Sequence, residues 1–196
     1  AEHADFRIRP YPEADWAFSS WQARSSVDFD KQAGRFEMLD SSYHFAFDVN
    51  QYDAYMDRAD WDIAAKTFNV RNHEEGKLSP MISVNKAQDS LHFDAASSKF
   101  SLLNSVLEVY GVEQIKVADA RIEPDSGRVT IDTAANMRLL DKSVLVANRF
   151  TRHFNLYDCS LKIQSRNRYS GNGILEYVDQ DETPWPLYFH TLGVNR

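Results

Sequence analysis

Tyr43-His44-Phe45-Ala46-Phe47-Asp48-Val49 keeps a period of two for seven residues. A β-strand sends successive side chains to opposite faces, so this stretch reads as a half-buried strand with its phenylalanines inward and His44 outward. The same period returns on both sides of it. Val27-Asp28-Phe29 precedes Arg35-Phe36-Glu37-Met38-Leu39, and Trp61-Asp62-Ile63 precedes Phe68-Asn69-Val70. Leu91-His92-Phe93 is followed by Phe100-Ser101-Leu102, and Ala120-Arg121-Ile122 by Val129-Thr130-Ile131. Short polar turns separate the members of each couple, as they do between strands. Helix is scarce: only Asn50 to Ala59, with Tyr52, Tyr55, Met56 and Ala59 at i, i+3, i+4 and i+7, carries the helical spacing.

The couples also resemble one another. Anchors at Phe29, Ile63, Phe93, Ile122, Ile163 and Phe189 lie 34, 30, 29, 41 and 26 residues apart. Leu102–Val109 looks like Leu139–Val146, and Val117-Ala118-Asp119-Ala120-Arg121-Ile122 looks like Leu156-Tyr157-Asp158-Cys159-Ser160-Leu161. Self-similarity at 20 to 50 residues marks repeat architectures, in which stacked units share a core that none could bury alone. On these motifs the chain resembles the β-solenoid modules of bacterial cell-envelope proteins over residues 27–178. The resemblance implies an all-β, repeat-built solenoid, a β-helix-like stack of short strands with one short helix. A β-sandwich or jelly roll is the alternative that the uneven spacings leave open. It also implies an extracytoplasmic, non-catalytic scaffold or binding module of a longer polypeptide, presenting a β surface to a protein or glycan partner.

One domain is expected over residues 1–196: an irregular leader at 1–25 covering an end or edge, a repeat-built core at 26–180 and a terminal strand at 181–196. Arg71–Pro80 and Gln180–Pro186 read as loops, the latter because Pro184 and Pro186 exclude a central strand.

Charge narrows the partners. The net charge is −7, with 10 basic against 17 acidic residues over positions 1–98 and 12 against 12 over 99–196. A nucleic-acid partner is not expected of such a chain. Its one basic stretch, Arg138 to Arg168, includes Arg149, Arg152, Arg166 and Arg168, which could hold an acidic glycan or a phosphate. Trp16, Trp21, Trp61 and Trp185 lie in or beside irregular segments, where aromatic planes can stack on sugar rings. These eight residues form the expected binding set. No transmembrane segment is expected, since no run of about 18 apolar residues occurs.

The motifs that carry chemistry are sparse, and no catalytic residue is singled out. The six histidines show no i+2 or i+4 pair, Cys159 stands alone, and neither a P-loop nor a G-x-S-x-G is present, so no metal and no cofactor are expected. Asp48, Asn50, Asp53, Asp57, Asp60 and Asp62 concentrate oxygen ligands for calcium but lack the EF-hand glycine. The alternative function is a carbohydrate-active enzyme acting on a polysaccharide through paired carboxylates. Asp28/Asp30 and Asp60/Asp62, each at i, i+2 on one strand face, are its candidates.

Overall fold

The computed structural model describes residues 1–147, 154–178 and 180–195. Among them the alternating stretches become eighteen strands: β1 (Ala4–Ile8), β2 (Phe18–Asp28), β3 (Ala33–Met38), β4 (Phe45–Phe47), β5 (Tyr52–Ala54) and β6 (Arg58–Asp62), then β7 (Thr67–Arg71), β8 (Ser79–Ser83), β9 (His92–Ala95), β10 (Ser97–Ser101), β11 (Val106–Tyr110) and β12 (Ile115–Val117), then β13 (Ala120–Glu123), β14 (Val129–Ile131), β15 (Leu140–Ala147), β16 (Phe154–Ser165), β17 (Arg168–Val178) and β18 (Pro184–Asn195). Two single 3-10 turns, Lys86–Gln88 and Asp125–Gly127, are the only helical residues described.

All the strands belong to one sheet, which divides at β2. The N-terminal half of β2 pairs with β4 through Ser19 and Ser20, and its C-terminal half pairs with β3 from Ala23 to Asp28. Gln22, at φ +54°, turns the strand between the two halves. One branch then runs β3, β6, β7, β10, β11, β14. The other runs β4, β5, β8, β9, β12, β13, β15, β16, β17, β18. The chain builds them alternately: β4–β5 goes to the second branch, β6–β7 to the first, β8–β9 to the second.

Apolar rows line the inner faces. In the first branch Trp61, Phe68, Phe100, Leu107 and Ile131 stand side by side across successive strands. In the second branch Phe45, Ala54, Met81, Phe93, Ile115, Ile122, Leu145, Leu156 and Leu175 do the same. The two rows meet. Phe47 of β4 and Phe100 of β10 lie 5.4 Å apart between ring centres although no ladder joins those strands. Phe18, fully buried on the shared strand, stacks on Phe68 at 4.0 Å and on Phe45 at 5.6 Å. Each such ring contributes about 1.5–3 kcal/mol by leaving water.

This geometry corrects the solenoid expectation and the resemblance on which it stood. A wound coil lays successive rungs in the same direction, whereas every ladder described here is antiparallel. The sheet is large and open, neither curled into a coil nor closed into a barrel. A sandwich or jelly roll of two separate sheets is not met either, because β2 carries hydrogen bonds into both branches. The look-alike couples are not equivalent: Trp61–Val70 is a hairpin within one branch, while β9 and β10 lie in different branches.

Other expectations change with it. The Asn50–Ala59 helix is absent: Tyr52, Ala54 and Met56 are buried with a period of two, and the stretch holds β5 and the start of β6. Positions 1–25 contribute β1 and most of β2. Arg71–Pro80 takes in the end of β7 and the start of β8. Pro184 and Pro186 lie within β18, which among the described residues is paired on one side only, by β17.

A candidate carboxylate site on the outer face

The register that lines the core inward also sets a row outward. Arg7, Ser19, Ala46, Asp53, Ile82 and His92 stand opposite one another across β1, β2, β4, β5, β8 and β9. Ala46 is the small residue in that row and is buried. Two residues along β4 in either direction, His44 and Asp48 carry their side chains to the same face. Asp48 is thus a diagonal neighbour of Asp53, a relation that separates residues by about 7–8 Å on an antiparallel pair.

The two carboxyl groups are held differently. The Asp53 side chain is 16% exposed and its Oδ2 lies 3.4 Å from Nε2 of His44. Burial pushes its carboxyl above the usual aspartate range; the His44 charge opposes the rise and the Asp48 charge adds to it. Asp48 is exposed as a residue, and its Oδ2 accepts a 2.5 Å hydrogen bond from the Ser19 hydroxyl. Burial raises its carboxyl too, with Ser19 and the Arg7 charge pulling it back. Aromatic rings flank the pair: His44 lies 5.6 Å from Trp21 and 5.2 Å from Tyr55, and the Arg7 guanidinium sits 5.6 Å over Trp21.

The aspartates named from spacing alone sit elsewhere. Asp60 meets three guanidiniums, Arg35, Arg58 and Arg71, at 3.0, 2.9 and 3.2 Å. Burial raises its carboxyl, but the bonds from Arg58 and Arg35 outweigh that and hold it below the usual range. Asp28 is lowered by the Lys31 backbone N–H and ammonium. Asp62 caps a turn by accepting from Ala65 N, and Asp30 is exposed beyond the end of β2. Asp60 and Asp28, held ionised by these cations, cannot serve as general acids near neutral pH. The calcium cluster is dispersed as well. Asn50 is buried and donates to the carbonyls of Ser105 and Ile131, Asp57 pairs with His73, and among the described residues no group of three or more His, Cys, Asp or Glu is placed to hold a metal.

The six described residues of the expected binding set do not converge. Trp21 belongs to the site above. Trp16 is covered by Arg9 at 4.7 Å, and Trp61 stacks on Phe68 at 5.4 Å as a rim of the core. Trp185 pairs with Tyr177 near one end of β17, while Arg168 lies at its other end, about 30 Å away at the rise of an extended strand. Arg166 and Arg168 are exposed at the β16–β17 turn, and Arg149 and Arg152 lie outside the described residues. Cys159 is buried, and burial pushes its thiol up, which suits packing rather than attack.

Sequence reading grouped Asp48 and Asp53 with the calcium candidates and did not pair them as working carboxylates, because it gave the second of them to a helix. Alternation through Tyr52, Ala54 and Met56 was the signal that would have put Asp53 outward. Searches among protein-family models, curated proteins and solved structures found no match for the chain. What stands is an all-β domain in which no described helix is long and apolar enough to cross a membrane.

Proposed function

We propose that this domain is carbohydrate-active and hydrolyses a polysaccharide through Asp53 and Asp48. The observation that carries the reading is a pair of aspartates on one face, both raised by burial and flanked by Trp21, His44 and Tyr55. Glycoside hydrolysis asks for two carboxyl groups whose environments differ, one keeping its proton to give away. Asp53, the better buried, is the acid: it protonates the glycosidic oxygen as the bond to the anomeric carbon breaks. Asp48, open to solvent and fixed by Ser19, takes the proton of the attacking water. Their diagonal placement suits the wider separation of about 6.5–9.5 Å that admits a water and inverts the anomeric centre. Trp21 and Tyr55 supply ring faces for the sugars.

The test is release of new reducing ends from a panel of polysaccharides by the wild type, Asp53→Asn and Asp48→Asn. Turnover that falls at least about 100-fold in each variant is expected, in line with the loss of a general acid or base. A panel with no turnover, or variants that keep it, would end the catalytic reading. A second reading is a module that holds a glycan without cleaving it. The partial exposure of Trp21, His44 and Tyr55 on a sheet face favours it. It predicts that Asp53→Asn keeps binding and that Trp21→Ala loses it.

A further inference from the structure

The apolar row of the second branch does not stop where its cover stops. The first branch ends at β14, whereas the second continues through β15, β16, β17 and β18. Leu156 is buried and Leu175 packs against the core, yet Leu187, opposite Leu175 on β18, is 43% exposed. On the same face Phe154 lies two residues before Leu156, and Tyr177 pairs with Trp185. Phe189 sits opposite Gly173. All four rings are exposed, Trp185 to 55%. Among the described residues the patch carries no charged side chain.

We infer that this face packs against the same face of a second copy of the chain, about a two-fold axis. Self-packing brings together no like charges among the described residues, and it repeats between copies what the two branches do within one, sheet face on sheet face. Strand addition along β18 suits this edge poorly, because Pro184 and Pro186 lack the N–H that a ladder needs. The area is adequate. Aromatic residues bury about 150–250 Å² each, so five half-exposed side chains offer roughly 500 Å² per copy. Two copies reach about 1,000 Å², the lower bound for a specific interface.

Sedimentation velocity across the micromolar range tests this on the whole chain. The wild type is expected to pass from monomer to dimer with rising concentration, while Trp185 emission moves to the blue as its ring leaves water. Trp185→Lys and Leu187→Lys are expected to stay monomeric with an unchanged circular-dichroism spectrum. A wild type that remains monomeric overturns the inference and assigns the face to some other occupant. So does a dimer that survives both substitutions, a dimer with unshifted emission, or an open-ended series of larger species.

Discussion

Phe18→Ala removes a ring that packs against both branches. Phe18 is fully buried and lies within 4.0–6.5 Å, centre to centre, of Phe68, Phe45, Phe47 and Phe36. These neighbours belong to both branches, so neither can collapse inward without leaving the other. Loss of a buried phenylalanine costs about 3–5 kcal/mol, and the double-sided wall puts this site toward the upper end. For a domain of this size each kcal/mol moves Tm by about 2–4 °C, so the melting point should fall by roughly 8–20 °C. Urea unfolding followed by tryptophan emission and far-ultraviolet dichroism measures the loss from the shift in midpoint at constant slope. Phe29→Ala is the control: Phe29 lies just past β2, is 70% exposed and should change stability by no more than about 0.5 kcal/mol. A loss below about 1 kcal/mol for Phe18→Ala, or equal losses for both, would refute the shared core.

Asp53 carries a carboxyl raised by burial, so its folded state holds a proton that the unfolded chain has already lost. Stability should therefore fall as pH rises from the ordinary aspartate value through the raised one, and Asp53→Asn should flatten that slope and stabilise the protein at pH 7 in chemical denaturation. Asp60 is shifted the other way: its contribution is full above the ordinary value and fades as pH falls through the lowered one. Asp60→Asn should cost about 1 kcal/mol at pH 7 and progressively less as pH falls below the ordinary aspartate value, read from unfolding midpoints along a pH series. At Gly173 a Cβ would stand 2.4 Å from Sγ of Cys159, so Gly173→Ala should destabilise by about 1–3 kcal/mol. Gly173→Ala with Cys159→Ala should recover part of that loss, and a strictly additive pair would contradict the contact.

Period-two alternation was enough to identify strands, since each inward phenylalanine of Phe36, Phe45, Phe47, Phe68 and Phe100 is fully buried. It was not enough to say which strands pair. A strand such as Phe100–Leu102 presents the same alternation whether its neighbour precedes it in sequence or lies in the other branch. Repeats in the sequence reflect hairpins handed in turn to two branches, and similarity alone cannot tell that from coils. Three-residue strands such as β4 and β5 are too short to separate periods of 2 and 3.6, which is how Asp53 came to be placed on a helix. The site pairs Asp48 with Asp53 through a register opposite Ala46, and register depends on turn geometry that composition does not encode.

Carboxyl carbon NMR, with Asp53, Asp48 and Asp60 assigned by substitution, measures most directly whether the outer face holds the working pair. Free aspartate side chains titrate near 3.9. Asp53 and Asp48 should titrate above that value and Asp60 below it. Asp53 and Asp48 titrating at or below Asp60 would leave the outer face with no proton to give, and the assignment of its chemistry would be wrong.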